Sequence, residues 1–362
     1  MSRLGKPQFF AVLLLLCFVA QGAALLGRVP QMAAAFSGST AFGENATPSL
    51  SPLLRTMIAG PALVLKHVGG ASIWDLLIFA PFVTIGALLG AAVWYIARRL
   101  FGNKAGYIAL VLYCFSPPMV LASIAVRPEV VAAFGLFGLI YTAIAVAHTL
   151  YAPREVVLWN WKRIVLLGLA ITFAVGAQFD LLLLLLLALG YMLYLVPHRM
   201  GPAAVILLAA CAVACLLLAP VYWSAHQWPN TALGLTVSQL TDAHVYVMVG
   251  RFLLHNSPGF VLLLATAVVT YAVWPHTRFF GTTAALLTSV VLLALVLASP
   301  TEGVTFLTVA IPFLFVFTAG VWADLLESRD ASVRSLTTGV LFAALVTHAM
   351  FSVLGIARLW HR

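Results

Sequence analysis

Along this 362-residue chain, apolar runs of roughly 17–25 residues follow one another and polar residues are confined to the gaps between them. Read as spans, the charge-poor segments are Phe9–Gly27, Trp74–Ala97, Ala105–Ser123, Val130–Leu150, Ile164–Ala177, Leu181–Val196, Pro202–Tyr222, Phe260–Trp274, Thr282–Ser299, Val304–Leu325 and Ser335–Ile356. The pattern predicts an all-α, polytopic integral membrane protein with about eleven transmembrane helices. Residues 1–362 are expected to form a single integral membrane domain with no separate soluble domain. The fifth, sixth and eighth runs are short for a bilayer, which suits small tilt, partial re-entry or a protected place among neighbouring helices.

Composition agrees with the pattern. Hydrophobic residues make up 63% of the chain and charged residues 8%, with a mean hydropathy of +1.09, so no soluble core at this length absorbs the apolar surface. Alternate connections separate the cations into two sets. Arg3, Lys6, Arg98, Arg99, Lys104, Arg154, Lys162, Arg163, Arg199, Arg278, Arg329 and Arg334 fall on one side, while the short connections of the other carry only Arg127, Arg358 and Arg362. The positive-inside rule then puts the N-terminus in the cytoplasm and the C-terminus outside. Met1–Gln8 with the following apolar run also reads as a secretory signal, with small residues at Gly22, Ala23 and Ala24; the length of the run favours an uncleaved first span. The net charge of +9 forms no cation cluster longer than the Arg98–Arg99 pair, so it indicates topology and contacts with membrane lipids, and no nucleic-acid partner. Cys17, Cys114, Cys211 and Cys215 all fall inside spans without metal or redox spacing and read as buried small apolar residues.

Two outer connections exceed the rest in length, Arg28–Ile73 and Trp223–Gly259, and long loops tend to bear function. Within them, Ser51–Val68 and Gln239–Leu254 mix apolar positions with scattered charge, as helices lying in the interface plane do.

The ten carboxylates are few enough to sort by face. Glu44, Asp75, Glu129, Asp180, Asp242 and Glu302 lie at the outer side, and Glu155, Asp324, Glu327 and Asp330 at the inner. An ionisable group at membrane depth costs about 2.5–3.5 kcal/mol on insertion scales and therefore faces a cavity or a partner. Asp180 sits in the tight turn AQFDLLLLLLL beside Gln178. A second cluster is Ser116–Pro117–Pro118 followed by Arg127–Pro128–Glu129. The prolines break the third span and open the fourth, which leaves Arg127 and Glu129 at a wettable mouth. An arginine there either holds a phosphate through bidentate hydrogen bonds or pairs with Glu129. His226, His244 and His255 are spaced for no common helical face, and no metal site is expected.

Residues 95–145, with the ARRLFGNKAG turn of Ala97–Gly106, the Ser116–Pro117–Pro118 kink and the Arg127–Pro128–Glu129 helix start, resemble the second to fourth spans of the C-type, polyprenyl-phosphate-dependent glycosyltransferases. The likeness is to the protein O-mannosyltransferase and aminoarabinose transferase branch. Gly168–Leu187 is similar to that family's short helical hairpin. The resemblance implies an enzyme of the bacterial inner membrane that moves a sugar from a polyprenyl-phosphate donor to an acceptor on the periplasmic side, without a cofactor. A carboxylate would deprotonate the acceptor while cations stabilise the departing lipid phosphate. Carried onto this chain, Arg127 is the first candidate for the donor phosphate, with Arg55 and Lys66 behind it. Glu44, the sole carboxylate of residues 28–72, stands where the family places its base, although the usual acidic pair is missing; a solvated loop carboxylate is the alternative. Asp180 would position the acceptor or tune a cation, and Glu129 and Asp75 are supporting candidates. Two other classes stay open. One is a transferase-like subunit that has lost its chemistry; the other is a lipid or solute transporter, which the gathering of charge at span ends and the absence of an inverted repeat disfavour.

Overall fold

The structure is a computed structural model and describes residues 7–25, 51–59, 79–125, 127–150, 161–225, 243–298, 303–328 and 330–361. Among them there is no strand. The helices are α1 (Pro7–Leu25), α2 (Ala80–Cys114), α3 (Pro117–Ile124), α4 (Pro128–Thr149), α5 (Trp161–Ala177), α6 (Leu184–Leu195), α7 (Met200–Ala225), α8 (Ala243–Asn256), α9 (Pro258–Val273), α10 (Phe280–Ala298), α11 (Gly303–Leu325) and α12 (Ala331–His361). Residues 52–59 are also helical. In their described parts, all eleven predicted spans fall on apolar helices, and each of the two long connections contains a helix. Among the described residues, six helices are long and apolar enough to cross a membrane, and the runs Phe179–Leu195, Pro258–Val273 and Phe280–Val296 are shorter. The chain is a multi-pass membrane protein.

The described residues of 1–46, 82–125 and 234–362 form one compact unit, and those of 47–81 and 126–233 a second. In the first unit, α2 is two helices joined at Gly102, whose φ of +87° is left-handed backbone that a residue with a Cβ avoids. The halves fold back on each other. Tyr113 Oη donates to Gly86 O at 2.6 Å, and a Cβ on Gly90 would come within 2.7 Å of the Tyr113 ring. Across the turn Arg98 Nε donates to Asn103 Oδ1 at 2.7 Å. Small residues admit this close approach, as in other membrane helix pairs. At the centre of the same unit α11 is buried from Thr305 to Ala323, with Phe315 edge-on to Phe260 of α9 and Trp322 Nε1 donating to Leu263 O at 3.0 Å.

Pro117 and Pro118 do break the third span. Lacking N–H groups, they leave carbonyls at the end of α2 without their usual helical donors. Ser116 N turns to Tyr113 O at 3.1 Å; Cys114 O is served by Gln21 Nε2 of α1 at 3.3 Å, and Leu112 O by His348 Nε2 of α12 at 3.0 Å. The buried His348 thus carries its proton on Nε2 and completes a broken helix.

In the second unit α4 is the buried centre, packed against α5 and α6, with α7 on the far side of α5. Gly135 lies so close to α5 that a Cβ would sit 2.1 Å from Ala174 N, and Gly138 faces Ala170. Gly168 likewise faces Val213 of α7.

The cysteines require a correction. All lie within helices and none is disulfide-bonded, but only Cys114 is buried; Cys17 and Cys215 are exposed and Cys211 is intermediate. Lipid accepts a thiol as readily as a protein interior does, so apolar context says nothing about which of the two surrounds it.

Candidate functional site

The site is built at one end of α4. Pro128 occupies the first helical turn, where a missing N–H costs nothing, and holds the preceding residue extended. Arg127 accordingly caps the helix at φ −137°, ψ 158°. Glu129 lies in the first turn, buried to 7% exposure, where the positive end of the helix dipole favours its charge. Arg127 Nη1 stands 3.9 Å from Glu129 Oε1, with the Arg127 side chain 27% exposed. Both alternatives left open by the sequence therefore have a basis: the two residues pair, loosely, and the guanidinium keeps donors on its open side.

The hairpin between α5 and α6 supplies the second acid. Gln178 N donates to Ala174 O at 3.0 Å and closes α5, and Phe179–Leu183 then forms a 3-10 helix before α6 begins. Asp180, in the first turn of that element, is 4% exposed, and Gln178 is buried beside it in sequence.

Helix register brings these groups to one level. Stepping back six residues from Gly135 along α4, about 9 Å at 1.5 Å per residue, reaches Glu129. Six residues forward from its partner Ala174 reaches Asp180. The helical run 52–59 docks at the same end: Leu54 is fully buried, and Leu53 Cδ2 would lie 2.7 Å from a Cβ on Gly176. Arg55 follows on that run with its side chain exposed.

Thus Arg127, Glu129, Asp180 and Arg55 gather at one end of the second unit. Glu44, Lys66 and Asp75 lie outside the described residues. Among the described residues no three His, Cys, Asp or Glu side chains gather where one metal ion could be held. Sequence reading had overlooked Gln21 and His348, whose role is to satisfy the carbonyls at the Pro117–Pro118 break; the available signal was a lone histidine in the apolar stretch LVTHAMF.

No protein-family model matches the chain, and no curated protein sequence matches it. Solved structures do. An Archaeoglobus fulgidus oligosaccharyltransferase tethered to an acceptor peptide with an NVT sequon superposes with a TM-score of 0.54 at 11% identity, over 87% of this chain and 47% of that one. The same enzyme in complex with Zn and sulfate gives 0.53 at 11% identity, over 87% and 45%. ArnT from Cupriavidus metallidurans in the apo state gives 0.52 at 13% identity, over 98% of this chain and 77% of that one. The chain spans about half the length of the oligosaccharyltransferase. At such identities the likeness is one of fold, and the fold is that of the C-type glycosyltransferases, as the resemblance in residues 95–145 implied.

Proposed function

We propose that this protein is a membrane glycosyltransferase that uses a polyprenyl-phosphate sugar as donor and acts at the membrane face bearing the Arg127 end of α4. The observation that carries the reading is the gathering of Arg127, Glu129, Asp180 and Arg55 at one end of a unit otherwise almost wholly apolar, within this fold. By the positive-inside rule that end faces the periplasm of a bacterial inner membrane, with the N-terminus cytoplasmic.

In the proposed reaction the acceptor hydroxyl attacks the anomeric carbon and gives its proton to a carboxylate, for which Glu44 is the choice. The bond from the anomeric carbon to the phosphate oxygen breaks, and polyprenyl phosphate leaves with the bonding pair. Arg127, with Arg55 and Lys66 in support, stabilises the charge that develops on that phosphate. Asp180 and Gln178 orient the acceptor, and Glu129 holds the Arg127 guanidinium in place until the phosphate enters. Asp75 supports the same face.

Reconstitution with a panel of polyprenyl-phosphate sugars tests the reading. Arg127→Ala is expected to lower transfer by about 10²–10³-fold, as loss of a transition-state donor does elsewhere, and Glu44→Gln to abolish it. Transfer unchanged by both substitutions would remove the site. A second reading has one observation in its favour: the Glu129 carboxylate, 3.9 Å from Arg127, competes with an incoming phosphate, which suits a subunit that holds the donor without transferring it. Donor binding that depends on Arg127, with no transfer to any acceptor, would select that reading.

A further inference from the structure

The opposite end of α4 carries a second set of charges that the reaction does not use. Arg163 Nη1 donates to Ala145 O at 3.3 Å, and Arg199 Nη1 donates to Leu150 O. The two carbonyls are five residues apart on α4, about 7.5 Å along its axis, so both arginines belong to this one end of the helix. Each spends one N–H on a carbonyl and has four more to offer. Lys162 is exposed beside Arg163. The described carboxylates of this unit, Glu129 and Asp180, both lie at the far end of α4, so no described acid offsets these three cations locally. Two aromatics frame the cluster, Trp161 at 59% exposure and Tyr194 at 74%, as at the headgroup level of a bilayer.

We propose that this end of α4 is a docking site for the headgroup of an anionic phospholipid, with the acyl chains lying on the exposed apolar sides of α6 and α7. Charge complementarity selects the headgroup: its phosphate takes the free guanidinium donors while the carbonyl bonds hold the two arginines in place. Leu186 of α6 and Leu208 of α7, both more than two-thirds exposed, supply the hydrocarbon contact. The site does not depend on the glycosyltransferase reading.

Full-length protein, delipidated in detergent and offered equal amounts of phosphatidylglycerol and phosphatidylcholine, is to be examined by native mass spectrometry. The wild type is expected to retain phosphatidylglycerol preferentially. Lys162→Gln should lower that preference about fivefold, and Arg163→Gln with Arg199→Gln roughly twentyfold, while Arg278→Gln, which removes a comparable carbonyl-bonding arginine from the other unit, leaves it intact. If the double variant fails to fold, Lys162→Gln and the charge-keeping pair Arg163→Lys and Arg199→Lys decide: the first must lower the preference and the second must keep most of it. Equal retention of the two lipids, an equal loss in Arg278→Gln, or displacement of phosphatidylglycerol by millimolar inorganic phosphate, which marks a site for the free ion, would each overturn the proposal.

Discussion

The two ends of α4 bear opposite kinds of charge for one electrostatic reason and differ in everything else. A helix favours anions at its N-terminus and cations at its C-terminus, and α4 has buried Glu129 in its first turn and Arg163 and Arg199 on its last carbonyls. At the C-terminal end Arg163 and Arg199 reach solvent and each spends one donor on the α4 backbone, so charge there costs little and leaves donors for the proposed lipid headgroup. The N-terminal end has no such economy. Glu129 and Asp180 are more than nine-tenths buried in an apolar unit, and desolvating a carboxylate is expensive enough that capping alone is a poor reason to keep it there. Charge at a span end is thus not one category. Burial separates Glu129 and Asp180, enclosed at one end, from Arg163 and Arg199, which reach solvent at the other.

That contrast rests first on the register of α4 against α5, and the largest effect is expected where the register is made. Gly135→Ala would drive a methyl group into the Ala174 backbone, so the variant should lose about 3 kcal/mol or more and yield little monodisperse protein in detergent. Normal yield and thermal stability would mean that Glu129 and Asp180 do not share a level. Next comes the buried pair. Glu129→Ala is expected to cost about 2 kcal/mol by leaving Arg127 without its carboxylate, and the cost should shrink when Arg127→Ala is already present, as a double-mutant cycle in thermal unfolding would read. At the solvated end, Arg199→Gln should lower stability by about 1 kcal/mol and no more, the worth of one capping hydrogen bond at a helix terminus. A loss as large as that of Glu129→Ala would erase the distinction between the two ends. The smallest effect belongs to Gly190 of α6, which has open space around its Cα; Gly190→Ala should raise stability by about 0.5 kcal/mol and so calibrate the Gly135 result.

Much of the fold was legible because its punctuation is chemical. Pro117, Pro118 and Pro128 lack the N–H that a helix interior needs, and the structure breaks at the first two and starts α4 at the third. The Arg127–Glu129 pair and the turn at Asp180 were readable as polar exceptions in apolar surroundings. Their common level was not, because it depends on Gly135 and Gly138 meeting Ala174 and Ala170, a fit of shapes with no mark in hydropathy.

The amino-acid sequence by itself determined that lipid is the solvent, where the spans lie, where they break, and which few charges need explaining. Tertiary structure alone decided which side of each span meets protein: α7 and α11 are similarly apolar by composition, yet α11 is enclosed from Thr305 to Ala323 and α7 largely exposed. Hydrocarbon outside a membrane protein is as apolar as the side chains within it, so hydrophobicity cannot distinguish the two environments. Only complementary shape, and the hydrogen bonds that a few side chains such as His348 and Arg199 extend to otherwise unsatisfied carbonyls, can do so.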